Sequence, residues 1–445
     1  MKRIKTVPAK IRGIPSHEDL VDYKHAVAGH DGTMCDADGE LFVKPCTQAE
    51  VDFYESANKF HPDFAELMPV YCGSLALLNN TTPASIHQQL PGLIDHAEIP
   101  DGLKHELMSH LQDHGSLPAV DASASEGNKG PLAPDAPSNT EAGPTTAIKT
   151  DRAVALLNAS YGFKKPNIMD TKMGRQLWSK HATQEKKERF DKITESTTHK
   201  NYGFRIAGMQ VYKGTHPTYL TAHGKHERSV NVKGPNEEGF LVYNKFWGRD
   251  DVHDSNLEDS LRLFIFNEAA GIDEELGKLV AGLFARDLRR VEEVLEKEES
   301  RMYSSSLLFV FEGDGAALRE AIEKAKAAET EVERSEPGLV ASASEKRSAT
   351  RTMSTNIRMD SGIDMGDEEL KCVAESVSLD GVAGAGSGYD EDDDDDYDEM
   401  SSFPCIYTLK MIDFAHADWT PGQGPDQDVL LGVRSLANIF EKFSE

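Results

Sequence analysis

At 445 residues the chain has room for two or three average domains, or for one two-lobed enzyme with long insertions. Only 38% of residues are apolar and the mean hydropathy is -0.50, so part of the chain is expected to stay outside any core. The formal net charge of -28 argues against non-specific binding of nucleic acid or stable association with an anionic membrane, and requires that any anionic substrate be met by a local basic patch.

The five cysteines, Cys35, Cys46, Cys72, Cys372 and Cys405, are scattered and form no C-x-x-C pair, so neither a disulfide framework nor a zinc site is signalled. No apolar core of roughly 7–15 residues follows the basic start Met1-Lys2-Arg3-Ile4-Lys5. Nor does any run approach about 18 apolar residues. The expectation is a soluble intracellular protein.

In chain order, Ala26-Val27-Ala28-Gly29 and Glu40-Leu41-Phe42-Val43-Lys44, with the Asp38-Gly39 turn signal between them, read as a hairpin. A helical register follows Glu50 through Val51, Tyr54, Glu55 and Asn58. A strand with a lysine, then a helix with a glutamate, is one way kinases build an amino-terminal lobe. Taken alone, Lys44 reads first as an edge-strand charge and Glu50 as a solvated helix start.

From about 115 to 149 the chain is Ala, Ser, Pro, Gly and Asn with almost no large apolar residue, the composition of a disordered insert. Val154-Ala155-Leu156-Leu157 resumes a buried strand, and Asn158 to Gly162 reads as a polar turn.

The run Pro166-Asn167-Ile168-Met169-Asp170-Thr171-Lys172-Met173-Gly174 is the most informative stretch. In an extended segment Asp170 and Lys172 point to one face, where a carboxylate holds a hydroxyl or metal and an ammonium holds a phosphate. Gly174 permits a tight turn or a close backbone approach. A lone D-x-K-x-G also fits a strand-end salt bridge.

Beyond it, Thr183 caps a predicted helix running to about Thr194, with Lys186, Arg189 and Lys192 along one side. Between Lys172 and Lys192 seven basic residues face three acidic ones, a local reversal of the chain's overall sign. Ser260 to Asn267 begins a further helix expected to continue, and Glu274 to about Arg301 is a long amphipathic one. Leu307 to Phe311 is a buried strand, its flanking serines strand-end hydrogen-bonders by default.

Ala317 to about Arg334 reads as a solvated helix, and about 335–402 as a second low-complexity insert. Within that insert, nine of the ten residues from Asp390 to Glu399 are acidic, a self-repelling block suited to solubility or to a basic partner. Its glycine cluster at Gly384 to Gly388 is no phosphate loop, having no preceding strand, and no Walker A sequence occurs anywhere. Cys405 to Phe414 is an apolar strand delivering Asp413 at its end, and Asp428 to Phe443 is a terminal helix.

The Pro166–Gly174 run resembles the P-x-x-x-D-x-K-x-G signature of the inositol polyphosphate kinases. Ser304-Ser305-Ser306-Leu307-Leu308 resembles their S-S-L-L strand, and Ile412-Asp413-Phe414-Ala415-His416 their I-D-F-A-H, in the same order. Arg175-Gln176-Leu177-Trp178 and Tyr243-Asn244-Lys245-Phe246-Trp247-Gly248-Arg249 are most similar to the multikinase branch, especially fungal members.

The resemblance implies an α+β, two-lobed fold like that of protein kinases and ATP-grasp enzymes, with antiparallel sheets, helices and two disordered inserts. The amino-terminal lobe would span about 20–160 and the carboxy-terminal lobe about 161–445, with an inositol-phosphate-binding segment at about 175–202. It implies an ATP- and Mg2+-dependent kinase converting inositol trisphosphate and tetrakisphosphate toward the pentakisphosphate. A trisphosphate 3-kinase and a hexakisphosphate kinase of the same family are alternatives, as is a mainly non-catalytic transcriptional interaction protein using the acidic block.

By the same resemblance, Lys44 and Glu50 would serve nucleotide phosphates, Leu157 the adenine hinge, and Asp170 the ribose. Lys172 would hold an acceptor or transferring phosphate and Asp413 the metal. Lys186, Arg189, Lys245 and His416 would contact substrate phosphates. Basic transcription factors would be partners, and nucleus and cytoplasm the compartments.

Overall fold

The computed structural model describes residues 21–22, 33–35, 39–76, 90–97, 99, 101–112, 150–214, 229–335 and 405–445. The expected inserts at about 115–149 and 335–402, the acidic block and the Ala26–Gly29 arm of the hairpin lie outside these residues, apart from Ser335.

Two antiparallel sheets organise the chain, giving the α+β architecture expected. The first has the order β1-β2-β3-β5-β4, from β1 (Val21–Asp22), β2 (Met34–Cys35), β3 (Leu41–Pro45), β4 (Tyr71–Ala76) and β5 (Arg152–Leu157). Helix α1 (Gln48–Phe60) follows β3 directly. Its cap is Thr47, whose hydroxyl accepts from the Glu50 N–H. A short turn, α2 (Pro62–Ala65), continues it.

Residues alternate along these strands with period two. Leu41, Val43, Ala153 and Ala155 pack with Leu90 and Ile94 of α3 (Leu90–His96) and Leu107 of α4 (Asp101–Gln112). Val154 and Leu156 turn to the opposite side, into the core that holds Val51, Phe53 and Tyr54 of α1.

The second sheet runs β12-β11-β6-β7-β9-β8, from β6 (Pro166–Met173), β7 (Phe204–Tyr212), β8 (Val232–Lys233), β9 (Phe240–Tyr243), β11 (Ser306–Glu312) and β12 (Tyr407–Ile412). The signature is thus a central strand, which is why it is buried along nearly its whole length. On one face Met169, Met173, Leu307, Phe309, Leu409 and Met411 join the main core.

That core lies under α8 (Glu274–Lys297) and α10 (Gln427–Ser444), where Phe309 stacks on Phe440 at 5.4 Å. Asp170, Lys172 and Ser306 occupy the other face, with Ser306 paired to Lys172 on one side and to Ile412 on the other.

Between the sheets' elements stand α5 (Gln184–Ser196), α6 (His199–Tyr202), α7 (Leu257–Ile265) and α9 (Gly315–Ser335). The helix expected to continue from Ser260 instead stops at Ile265. Gly271, at φ 83°, turns the chain, and Asp273 caps a new helix by accepting from the Leu276 N–H. That helix ends at Lys297, and Arg301 belongs to β10 (Ser300–Met302), paired with β13 (Ala417–Trp419). Helix α9 is not wholly solvated, since Leu318, Ala321 and Ile322 are buried. No helix of the described residues is long and apolar enough to cross a membrane.

Candidate active site

Three elements distant in sequence deliver charge to one point. Lys44, near the end of β3, places Nζ 2.8 Å from Glu50 Oε1 and 2.6 Å from Asp413 Oδ1. Lys172, near the end of β6, bonds the other oxygen, Asp413 Oδ2. Asp413 follows β12 immediately, and its backbone is left-handed at φ 68°. Asp tolerates that region better than most residues, at a cost of order 1–3 kcal/mol. The turn lets one carboxylate face both lysines. Behind it the Phe414 N–H donates to Glu50 Oε1 over 3.2 Å.

The electrostatics follow from this cluster. Burial alone would disfavour the Lys44 ammonium, but the Asp413 and Glu50 carboxylates outweigh it and hold its pKa above that of an ordinary lysine. Burial likewise opposes the Asp413 carboxylate, and Lys172 and Lys44 together push its pKa well below the usual range. Lys172 is raised against its own burial by Asp413 and Asp170.

Asp170 behaves oppositely, its pKa raised chiefly by burial despite Lys172. Its Oδ1 is buried with no hydrogen-bond partner among the described residues. The β6–β7 register slips between Asp170 and Thr171, a bulge at the working end of the signature.

Gly174 lies at φ 85°, with nothing closer than 3.7 Å to an added Cβ, so the glycine answers the turn and not a close approach. Ser304, also left-handed at φ 60°, donates from Oγ to the Leu177 carbonyl at 2.8 Å and pins the loop after the signature.

The remaining expected residues are placed less tightly. Helix α5 has no buried residue, and its Thr183 cap accepts from the Lys186 N–H. Lys186 reaches the neighbourhood of His416, whose pKa is lowered by burial and by that ammonium. Arg189 and Lys245 lie over the adjacent rings of Phe190 and Phe246. The Leu157 N–H is committed to the Val70 carbonyl at 3.0 Å, and its side chain packs toward the α3–α4 cluster. The amide of Leu157, the residue expected at the adenine hinge, is thus already bonded within the protein, and its side chain is packed.

Arg205, which stands in no motif, is brought opposite Lys172 on β7. Its guanidinium lies close enough to Asp170 for attraction, and its Nε is buried without a hydrogen-bond partner among the described residues. Only strand pairing reveals it, since nothing local in Gly203-Phe204-Arg205-Ile206 marks chemistry.

A family model described as inositol polyphosphate kinase matches residues 153–441. The chain belongs to the inositol polyphosphate kinase family. As a kinase of this family it is a phosphotransferase.

The chain is similar to the inositol polyphosphate multikinase of Saccharomyces cerevisiae, 29% identical over 434 residues that cover 94% of this chain and 97% of that protein. To the Schizosaccharomyces pombe multikinase it is 27% identical over 201 residues, 44% of this chain and 55% of the other. A solved inositol phosphate multikinase from S. cerevisiae, in complex with ADP and Mn2+, aligns over 92% of this chain and 100% of its own at a TM-score of 0.48 and 22% identity.

Proposed function

We propose that this kinase is a multikinase that transfers the terminal phosphoryl group of ATP to hydroxyls of inositol trisphosphate and tetrakisphosphate, toward the pentakisphosphate. The observation that carries the reading is the sharing of one carboxylate, Asp413, between lysines from two different sheets. Phosphoryl transfer asks a protein to align its reactants and to neutralise charge spreading over phosphoryl oxygens. Two ammoniums converging on one carboxylate at a largely buried point are suited to that task. Similarity along 94% of the chain to a named multikinase supports the choice of branch.

A divalent cation such as Mg2+ fits the residues present. Among the described residues no group of three or more His, Cys, Asp or Glu forms a protein cage. An ion held by one or two carboxylates together with nucleotide phosphates needs none. Asp413 would hold it, and when bound it would draw charge from the phosphoryl oxygens. Lys44, oriented by Glu50, would bind nucleotide phosphates. The unpartnered Asp170 Oδ1 would accept from a ribose hydroxyl.

Lys172 would hold the acceptor's phosphate or the transferring group. Lys186, His416, Arg189 and Lys245 would receive the remaining substrate phosphates from the α5 side and from the β9 loop. The acidic block at Asp390 to Glu399 supports a separate role in docking a basic partner, which its deletion should abolish without loss of turnover.

Incubating the pure protein with magnesium ATP and each inositol phosphate, followed by separation of products, tests the assignment, with Asp170→Ala as the blank. Turnover of trisphosphate and tetrakisphosphate supports the multikinase. Turnover confined to the hexakisphosphate, or none at all with nucleotide binding intact, overturns it.

A further inference from the structure

An aromatic cluster joins α1 and α2 to the two-stranded ribbon of β10 and β13. Trp419 ends β13, where it pairs with Ser300 of β10. Its ring stacks on Phe53 at 4.7 Å and 11° and on His61 at 3.6 Å and 11°, and it meets Phe64 edge-on at 5.2 Å. The indole N–H donates to Ser56 Oγ at 2.8 Å. His61 in turn sets Nδ1 2.6 Å from Glu298 Oε2, just past the end of α8. Phe53, Ser56, His61 and Phe64 all belong to α1, to α2 or to the residue between them. Trp419 and Glu298 belong to the other side.

The contact continues inward. Phe53 also stacks on Phe414 at 4.9 Å and 21°, and Tyr54 meets Phe414 edge-on at 5.4 Å. Phe414 is the residue after Asp413, and its N–H holds Glu50. Trp419 therefore sits at the outer end of a packed series running through Phe53 and Phe414 to the carboxylates that hold Lys44. It touches none of the charged groups itself.

We propose that Trp419 is a positioning residue for phosphoryl transfer: it clasps α1 to the loop bearing Asp413, so that Lys44, Glu50 and Asp413 keep one spacing through turnover. This deepens the kinase reading and rests on it. A displacement of about 1 Å at a reacting group costs on the order of 100-fold in rate, so loosening a clasp that orients two charged groups registers in turnover before it registers in binding. Ring stacking with an added N–H bond favours one alignment, where a smooth aliphatic contact would allow sliding.

Trp419→Ala, Trp419→Phe and His61→Ala test this. The readouts are kcat and KM for ATP and inositol trisphosphate well below each variant's unfolding midpoint, and amide hydrogen exchange. Trp419→Ala is expected to lower kcat about 10-fold or more with KM for inositol trisphosphate within about 2-fold. It should also speed exchange in 48–60 and 411–419 while 274–297 is unchanged. Trp419→Phe keeps the stack and should recover most of the rate, and His61→Ala should fall between.

Wild-type kcat and wild-type exchange in folded Trp419→Ala overturn the proposal, whatever its melting temperature. Should that variant not fold, the same two values in His61→Ala decide the matter. A wild-type protein that phosphorylates no inositol phosphate sinks the proposed function instead, and the exchange comparison still settles whether the clasp couples α1 to the Asp413 loop.

Discussion

The amide of Phe414 donates to the carboxylate of Glu50, two residues 364 positions apart in the chain. This bond fixes the helix of the first sheet to the loop that carries Asp413 in the second. Because Glu50 also receives Lys44, one side chain holds both a backbone and a lysine of the site.

Replacing Lys44 should be costly twice over. Lys44→Met leaves Glu50 buried without its cation and removes one of the two neutralising Asp413. Breaking a buried ion pair from one side costs about 3–5 kcal/mol. The expected result is a fall in kcat/KM for ATP of order 100-fold or more, with a clear drop in melting temperature. Retention of both would show that the lysine is ornamental.

Asp170 should trade stability for activity. Burial raises its pKa, so its charge is held at a net cost in the folded protein. Asp170→Asn is expected to abolish turnover while leaving the melting temperature equal or higher, at roughly 2–4 °C per kcal/mol for a fold of this size. Differential scanning calorimetry beside a product assay checks the pair of outcomes. A large destabilisation would refute the account of its environment.

His199 gives the fold a defined acid sensitivity. It is fully buried, and burial with the nearby Arg205 cation pushes its pKa down to about 3. The unfolded chain titrates near the usual value of about 6.5, so below that pH it takes up a proton that the folded chain refuses. Stability is complete above about 6.5 and declines as pH falls toward 3, by about 1.4 kcal/mol between pH 7.5 and 5.5. Urea midpoints at those two pH values should differ accordingly. Part of that difference should vanish in His199→Leu, and an identical difference in the variant would exclude His199 as its source.

Lys186 and His416 should act as one unit. They approach each other from α5 and from the loop after β12, and each would meet a substrate phosphate. Lys186→Ala and His416→Ala are each expected to raise KM for inositol trisphosphate several-fold with kcat little changed. The double variant should do less than the product of the two, as groups serving a shared ligand do. Fully multiplicative effects would place them on separate phosphates.

Asp170, Lys172 and Asp413 stand near the ends of extended runs, and Glu50 stands in the first turn of a helix. Local spacing encodes the placement of these residues at strand and helix ends, whereas their roles and their meeting at one site were implied by the resemblance to the inositol polyphosphate kinases. Neighbourhood across strands is not written locally. Arg205 joins the site because β7 lies beside β6, and Ser306 stands between Lys172 and Ile412 because of the order β12-β11-β6. The clasp of Trp419 on α1 likewise joins segments separated by more than 350 residues, and no periodicity announces it. Leu157 shows the converse: a strand position correctly read, whose amide was already spoken for by Val70.

The order of the second sheet also bears on synthesis. Strand β11 lies between β6 and β12, and β12 emerges from the ribosome only after more than 90 further residues. Until then β11 presents an open flank able to pair with another nascent chain, and the loop bearing Asp413 does not yet exist. The second sheet and the charged cluster are thus completed only when the segment 405–419 joins them. A chain lacking β12 would keep that flank open and would have no Asp413 to meet Lys44 and Lys172.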